Sequence, residues 1–115
     1  MNLEIVAIYS QNLKEDEMTQ DLESFNFPIV VELSEKNGFG AEIFHFFVAS
    51  PSGLQGEVEN GGSKHLRGLI LMNKFNWKVV HRAIENLINH SRHLKDWKEV
   101  VEFWSRYSRY DSEDL

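Results

Sequence analysis

The sequence lacks cysteine and long apolar runs, and each absence excludes a class of protein. Because none of its 115 residues is cysteine, disulfides and thiolate metal sites are excluded, and a reducing compartment is compatible. No apolar stretch approaches the roughly 20 residues that a membrane-spanning helix needs. The N-terminal segment MNLEIVAIYSQNL has no basic region and only a short apolar run, which favours a strand over a signal peptide. We therefore predict a soluble, cytoplasmic protein with no membrane partner.

The common motifs of catalysis and phosphate binding are also missing. The glycines of NGFG and NGGSK do not belong to a G-x-x-x-x-G-K-[ST] loop between a strand and a helix. The sequence has no G-x-S-x-G nucleophile elbow, and Ser50-Pro51-Ser52 has no base partner that the sequence reveals. Nothing in the sequence indicates an enzyme, so we predict no catalytic residue and no cofactor.

The five histidines leave two chemical alternatives to weigh. His90 and His93 have a spacing that can place two imidazoles on one metal ion, but no well-spaced third ligand accompanies them, so we predict no metal site. His45 and His65 lie in predicted neighbouring strands and could form an acid–base pair for phosphodiester cleavage. We favour the simpler interpretation, in which His45 is a half-buried sheet residue whose ring nitrogens are hydrogen-bonded.

The sequence does contain enough apolar material for one core. Hydrophobic residues make up 42% of the chain and aromatic residues 12%, and a chain of this length buries roughly two thirds of its unfolded surface. There is no internal repeat, low-complexity tract or linker. We therefore predict a single domain over residues 1–115.

Apolar alternation predicts four strands before residue 76, within NLEIVAIYS, FNFPIVVELSE, AEIFHFFVAS and HLRGLILMNKF. Asn37-Gly38 predicts a hairpin turn between the second and the third. The third is apolar on both faces, which is typical of the centre of a sheet that is covered on at least one side. Its faces would carry Ile43, His45 and Phe47 on one side and Phe44, Phe46 and Val48 on the other. Pro51 would end this strand, and PSGLQGEVENGGSK would be a connection.

The last 40 residues change to a helical period. One apolar stripe follows Asn76, a candidate N-cap, and a second follows Asp96, which has Glu99 three residues on in a capping-box pattern. The stripes carry Trp77, Trp97 and Trp104, which we expect in the core and not as stacking platforms for bases. The fold class is therefore α+β, with an antiparallel sheet of about four strands followed by two C-terminal helices packed on one face.

Charge divides the chain into two unlike halves. The net charge is −6; residues 1–62 hold 11 acidic and 2 basic residues, whereas residues 63–115 hold 7 acidic and 10 basic residues. An acidic surface repels the phosphate backbone, so nucleic acid is excluded as the favoured partner. Such a surface can instead attract a basic protein and speed its encounter.

The order of these segments resembles the bacterial Immunity protein 8 family, over nearly the whole chain. The resemblance rests on EIVAIYS, FNFPIVVEL with its glycine turn, AEIFHFFVASPSGL, GLILMNKFNWKVV and WKEVVEFW. The tail YSRYDSEDL departs from the family, whose members often end in a tryptophan, an aromatic and acidic residues. The resemblance implies an inhibitor that binds a cognate toxin domain. The acidic charge pattern of the chain fits a basic, nuclease-like toxin, because an acidic protein can mimic phosphates in a basic cleft. The resemblance implies no catalytic residue.

The predicted partner-binding surface is acidic. It comprises carboxylates of the first long loop and of the tail, namely Glu15, Asp16, Glu17, Asp21, Glu23, Asp111, Glu113 and Asp114. A general protein-interaction module without a toxin partner is the alternative function. The predicted edge strand at residues 3–9 and the exposed tail also allow a homodimer.

Overall fold

The structure is a computed structural model that describes residues 1–11, 23–58, 61–62 and 66–112. In these ranges the elements are, in chain order, β1 (Leu3–Tyr9), β2 (Asn26–Glu35), β3 (Glu42–Ala49), α1 (Pro51–Val58), β4 (Leu69–Leu71), α2 (Trp77–His90), α3 (Trp97–Trp104) and β5 (Arg109–Tyr110). The strands form one sheet. The predicted α+β class and the two C-terminal helices are confirmed. No helix in these ranges has the length and apolar character to cross a bilayer.

The sheet is mostly antiparallel, and β3 lies at its centre. β1 pairs with β2 and β2 with β3, both antiparallel. On its other side β3 pairs with β5 in antiparallel fashion through Phe44 and His45, and with β4 in parallel through residues 47–49. The predicted central position of this strand is therefore confirmed. The prediction of an antiparallel sheet was wrong for β4, which is parallel to β3.

The parallel β4 has a physical cause in the segment that we expected to be only a connection. A parallel neighbour needs a crossover between the strands, and α1 supplies it. Ser50 caps this helix, because its Oγ accepts hydrogen bonds from Gly53 N at 3.0 Å and from Phe25 N at 3.1 Å. Pro51, which we interpreted as the end of a strand, is also the first residue of the helix, where its missing N–H costs nothing.

The predicted hairpin over residues 25–50 is confirmed. Asn37 has a positive φ of 64°, and Gly38 N donates to the Glu35 carbonyl oxygen at 2.8 Å. The connection between β2 and β3 spans residues 36–41, so it is longer than the two-residue turn that Asn-Gly most often forms.

The helices cover one face of the sheet, which we call the inner face. Its buried members are Phe27, Ile29, Val31, Leu33, Phe44, Phe46 and Val48. They form one core with residues of α2 and α3, among them Trp77, Val80, Ile84, Val100 and Trp104. Trp104 is fully buried, and its ring centroid lies 5.2 Å from that of Phe44. Trp77 and Trp104 are therefore core residues, as predicted, and Trp97 packs against them at the margin.

The helix caps that the sequence predicts are present. Asn76 Oδ1 accepts a hydrogen bond from Lys78 N at 2.8 Å, and Asp96 Oδ1 accepts one from Glu99 N at 2.9 Å. Glu99 Oε2 in turn accepts a hydrogen bond from Lys95 N at 3.1 Å. These bonds satisfy donors that a helix N-terminus leaves without a partner, and so they fix where α2 and α3 begin.

Candidate partner-binding surface

The second face of the sheet differs from the core face, and we call it the outer face. Successive side chains of a strand point to opposite sides, so the residues between the core positions define this face. Nine of them are half-buried or exposed and lie outside the core cluster: Ala7, Tyr9, Val30, Glu32, Ile43, His45, Phe47, Arg109 and Asp111. Ser34 and Ala49, nearer the ends of this face, are buried. The outer face therefore retains access to solvent.

A β-bulge decides which residues of β1 reach the outer face. The register of β1 against β2 shifts between Ile5 and Ala7, so one residue is left over at Val6. Leu3 and Ile5 pack against the core before the bulge, and Ile8 is buried after it. As a result Tyr9 points outward, beside Val30 of β2.

Two side-chain pairs organise the polar groups of the outer face. Partial burial and the nearby Glu32 carboxylate raise the pKa of Tyr9 above its usual value. His45 Nε2 lies 2.7 Å from Asp111 Oδ1. Because a carboxylate only accepts, the imidazole N–H donates. The side chain of His45 is 26% exposed, so its predicted half-buried position in the sheet is confirmed, and the predicted hydrogen bonding is confirmed for Nε2.

The structure describes two of the eight predicted binding residues. Glu23 is exposed, its Oε1 lies 3.8 Å from Lys74 Nζ, and its carbonyl oxygen accepts a hydrogen bond from Ser52 Oγ. Asp111 is exposed beside β3, where its backbone N–H donates to the Ile43 carbonyl oxygen at 2.9 Å. The other six lie outside the described residues: Glu15, Asp16, Glu17, Asp21, Glu113 and Asp114. His65, the second histidine of the acid–base alternative, also lies outside them.

Glu23 and Asp111 lie at different ends of the sheet. Glu23 contacts Ser52, just beyond the end of β3, whereas Asp111 contacts Ile43, near its start. A strand rises about 3.3 Å per residue, so the six steps from Ile43 to Ala49 separate them by roughly 20 Å. A partner that touches both carboxylates must therefore extend along the sheet.

His90 and His93, the pair considered as metal ligands, both lie at the surface. His90 Nδ1 donates to the Asn86 carbonyl oxygen at 2.7 Å, one helical turn back, and His93 is exposed. Within the described ranges, no group of three histidine, aspartate or glutamate side chains has the geometry to hold a metal ion.

Sequence reasoning missed two other exposed features. An apolar groove of about 320 Å³ lies between β4 and α2; it is lined by Leu66, Leu69, Leu87 and Tyr107, together with Arg67 and Arg106. Phe39 is fully exposed in the connection between β2 and β3. The Gly-Phe-Gly triplet was a signal for the second feature, but the groove joins segments that are distant in sequence and had no local signal.

The family of the chain follows from comparison with known proteins. The model of the family described as Immunity protein 8 matches residues 2–115. The chain belongs to the Immunity protein 8 family, which confirms the resemblance seen in its motifs. Among curated proteins and among solved structures, nothing matches this chain.

Proposed function

We propose that this protein neutralises a cognate bacterial toxin domain by binding it in the cytoplasm, and that it catalyses no reaction. The observation that carries the proposal is the match to an immunity-protein family over residues 2–115. An immunity protein has to occupy its target before the toxin acts, so tight contact is sufficient for the function.

A basic, nuclease-like toxin domain is the proposed partner. Nuclease clefts bind phosphates with cationic side chains, and an acidic protein presents a similar charge pattern. This chain carries a net charge of −6. The five strands also hold one cation, Arg109, and four carboxylates: Glu4, Glu32, Glu35 and Glu42. The acidic character of the sheet therefore supports a cationic partner.

The proposed interface includes the acidic loop and tail as outlying contacts. Protection against a few toxin molecules calls for nanomolar affinity or better, which is about −12 kcal/mol. A standard interface of roughly 1,600 Å² reaches this value when a few well-packed residues lie at its centre. Carboxylates at the rim act mainly on the association rate. We assign this role to Glu15, Asp16, Glu17, Asp21, Glu23, Glu113 and Asp114, and we propose Asp111 as a contact within the interface.

Co-expression tests the function directly. The chain is expressed with the toxin domain encoded next to its gene, and growth and co-purification are measured. We expect restored growth and a stable complex, whereas a toxin domain from an unrelated gene pair should remain lethal. Failure of the wild-type chain to protect against its neighbour would contradict the proposal. Purified protein should also leave RNA and DNA intact, and sustained cleavage of either would contradict the non-catalytic role.

Charge reversal tests the proposed role of the first loop. Replacing Glu15, Asp16 and Glu17 by lysine should slow association with the toxin domain and flatten its dependence on salt, because steering acts through long-range charge. Glu102→Lys on the exposed side of α3 is the control for a single charge reversal outside the proposed interface. An association rate equal to that of the wild type would remove the loop from the interface.

A further inference from the structure

Ile43 lies between two carboxylates on the outer face. Glu32 is its partner across the β2–β3 pairing, and Asp111 lies on its other side, where the Asp111 N–H donates to the Ile43 carbonyl oxygen at 2.9 Å. Neighbouring strands are about 4.8 Å apart, so the backbones that carry the two carboxylates are roughly 10 Å apart. We call this arrangement of Glu32, Ile43 and Asp111 the outer-face cradle.

Each carboxylate of the cradle has a polar neighbour. Glu32 lies close enough to Tyr9 to raise the pKa of that tyrosine, and Asp111 accepts the imidazole N–H of His45 at 2.7 Å. Both carboxylates keep lone pairs for a further donor, because a carboxylate can accept about four hydrogen bonds. The Asp111 side chain is 52% exposed, and Glu32 is half-buried. The cradle is therefore ordered and still open to a ligand.

The surroundings of the cradle are apolar. Val30 and Ile43 are half-buried on the outer face and belong to no part of the core cluster. Together with the two carboxylates they form a surface that is apolar in the middle and anionic on both sides. The aliphatic stem of a lysine or arginine packs on apolar surface while its charged head reaches polar groups. The cradle matches that chemistry.

We propose that the outer-face cradle receives a lysine or arginine side chain of the toxin domain, as a central contact of the interface. This inference rests on the proposed function, and it places the centre of the interface on the outer face. The stem of the cationic side chain lies over Ile43 and Val30, and its head donates to Glu32 and Asp111. Such charge-assisted hydrogen bonds are shorter and stronger than neutral ones.

The charges near the cradle favour a cationic ligand over an anionic one. Glu32 and Asp111 flank Ile43 with negative charge, and the basic side chains Arg109 and His45 lie opposite each other at the next pair of residues along β5 and β3. Arg109 repels a cation from the position between Arg109 and His45. A cationic side chain is therefore restricted to the neighbouring position over Ile43. The groove with Arg67 and Arg106 has the opposite charge and does not match a basic partner.

Neutral, isosteric variants of the full-length chain test the proposal. The probe is the catalytically inactive toxin domain encoded beside the gene, and its dissociation constant is measured at two salt concentrations. Glu32→Gln combined with Asp111→Asn should weaken binding by at least about tenfold and reduce the salt dependence. Ile43→Lys, which places a cation in the cradle, should weaken binding further. Glu102→Gln on α3, the matched control, should bind like the wild type.

The outcomes separate this inference from the proposed function. If the wild-type chain binds the toxin and the double variant binds equally well, the cradle is not a contact and the immunity function stands. If the wild-type chain does not bind, both fail. If the wild-type chain forms a dimer in solution that the double variant cannot form, the ligand of the cradle is a second copy and the proposal is overturned. Thermal unfolding midpoints of the variants within a few degrees of the wild type show that a loss of binding is not a loss of fold.

Discussion

The two faces of the sheet use neighbouring residues of the same strands for different purposes. Val31 and Phe44 are fully buried under the helices, whereas Glu32 and Ile43, one residue away, remain accessible on the outer face. The fully buried positions of the inner face are apolar, while the outer face alternates apolar and charged groups. The difference indicates that stability depends on the inner face and recognition on the outer one. Substitutions on the two faces should therefore have separable effects.

The largest expected effect is on the inner face. Trp104→Ala should lower the free energy of unfolding by about 3 to 5 kcal/mol, because it leaves a cavity beside Phe44 and Phe46. Denaturant titration measures the change. His45→Ala on the outer face is the comparison and should cost less than about 1 kcal/mol. A loss for His45→Ala as large as that for Trp104→Ala would contradict the division between the faces.

The next effect tests how closely the start of α1 packs against the sheet. A Cβ added at Gly53 would lie 1.9 Å from the Phe25 carbonyl oxygen, whereas one added at Gly56 meets no described atom within 4 Å. Gly53→Ala should therefore destabilise the protein by about 1 to 3 kcal/mol through a forced backbone shift. Gly56→Ala, the control in the same helix, should be neutral or stabilising by up to about 1 kcal/mol. Equal midpoints of thermal unfolding for both variants would refute the close approach.

A smaller effect is expected from the His45–Asp111 pair. Exposed ion pairs contribute about 0 to 1 kcal/mol, so Asp111→Asn should change the free energy of unfolding by less than about 1 kcal/mol. The same substitution should affect toxin binding, since Asp111 belongs to the proposed cradle. Denaturant titration and a binding measurement on one preparation compare the two effects. A large loss of stability would assign Asp111 to the scaffold.

The smallest effect compares one tyrosine from each face at high pH. A hydrogen bond to Glu42 and burial raise the pKa of Tyr110, and partial burial and Glu32 raise that of Tyr9, both above the usual 10.0. Because folding raises these pKa values, the stabilisation is complete below pH 10 and is lost as the pH rises through the folded-state values. Absorbance titration should show both ionising above pH 10, and Tyr9→Phe and Tyr110→Phe should each remove one such transition. Ionisation of either tyrosine at or below its usual value of 10.0 would contradict the raised pKa values.

Local patterns predicted much of this fold. The hairpin between β2 and β3, the central position of β3 and the caps at Asn76 and Asp96 depend on residues close together in the sequence. The Ser50-Pro51 signal for α1 was also present, but it was interpreted only as the end of a strand. These features were accessible because turns, caps and periodicity act over a few residues.

The candidate partner-binding surface was harder to predict from the sequence than the fold. His45 and Asp111 are 66 residues apart, and no local pattern brings them together. β5 has only two residues and carries no period that could identify it as a strand. β4 was predicted within HLRGLILMNKF, but its parallel pairing with β3 was not. Both exist because β3 offers them a free edge. Most of the predicted binding carboxylates lie in the first loop and at the end of the tail. Their role in binding remains a prediction.

The sequence by itself determined the α+β class, the family and the acidic first half, because apolar periodicity and composition set which segments must be buried. Only the tertiary structure decided which carboxylates stand together. The bulge at Val6 turns Tyr9 toward Glu32, and the pairing of β5 with β3 brings Asp111 to Ile43 and His45. The reason is physical: each contact joins segments that meet only after the sheet has formed around the core.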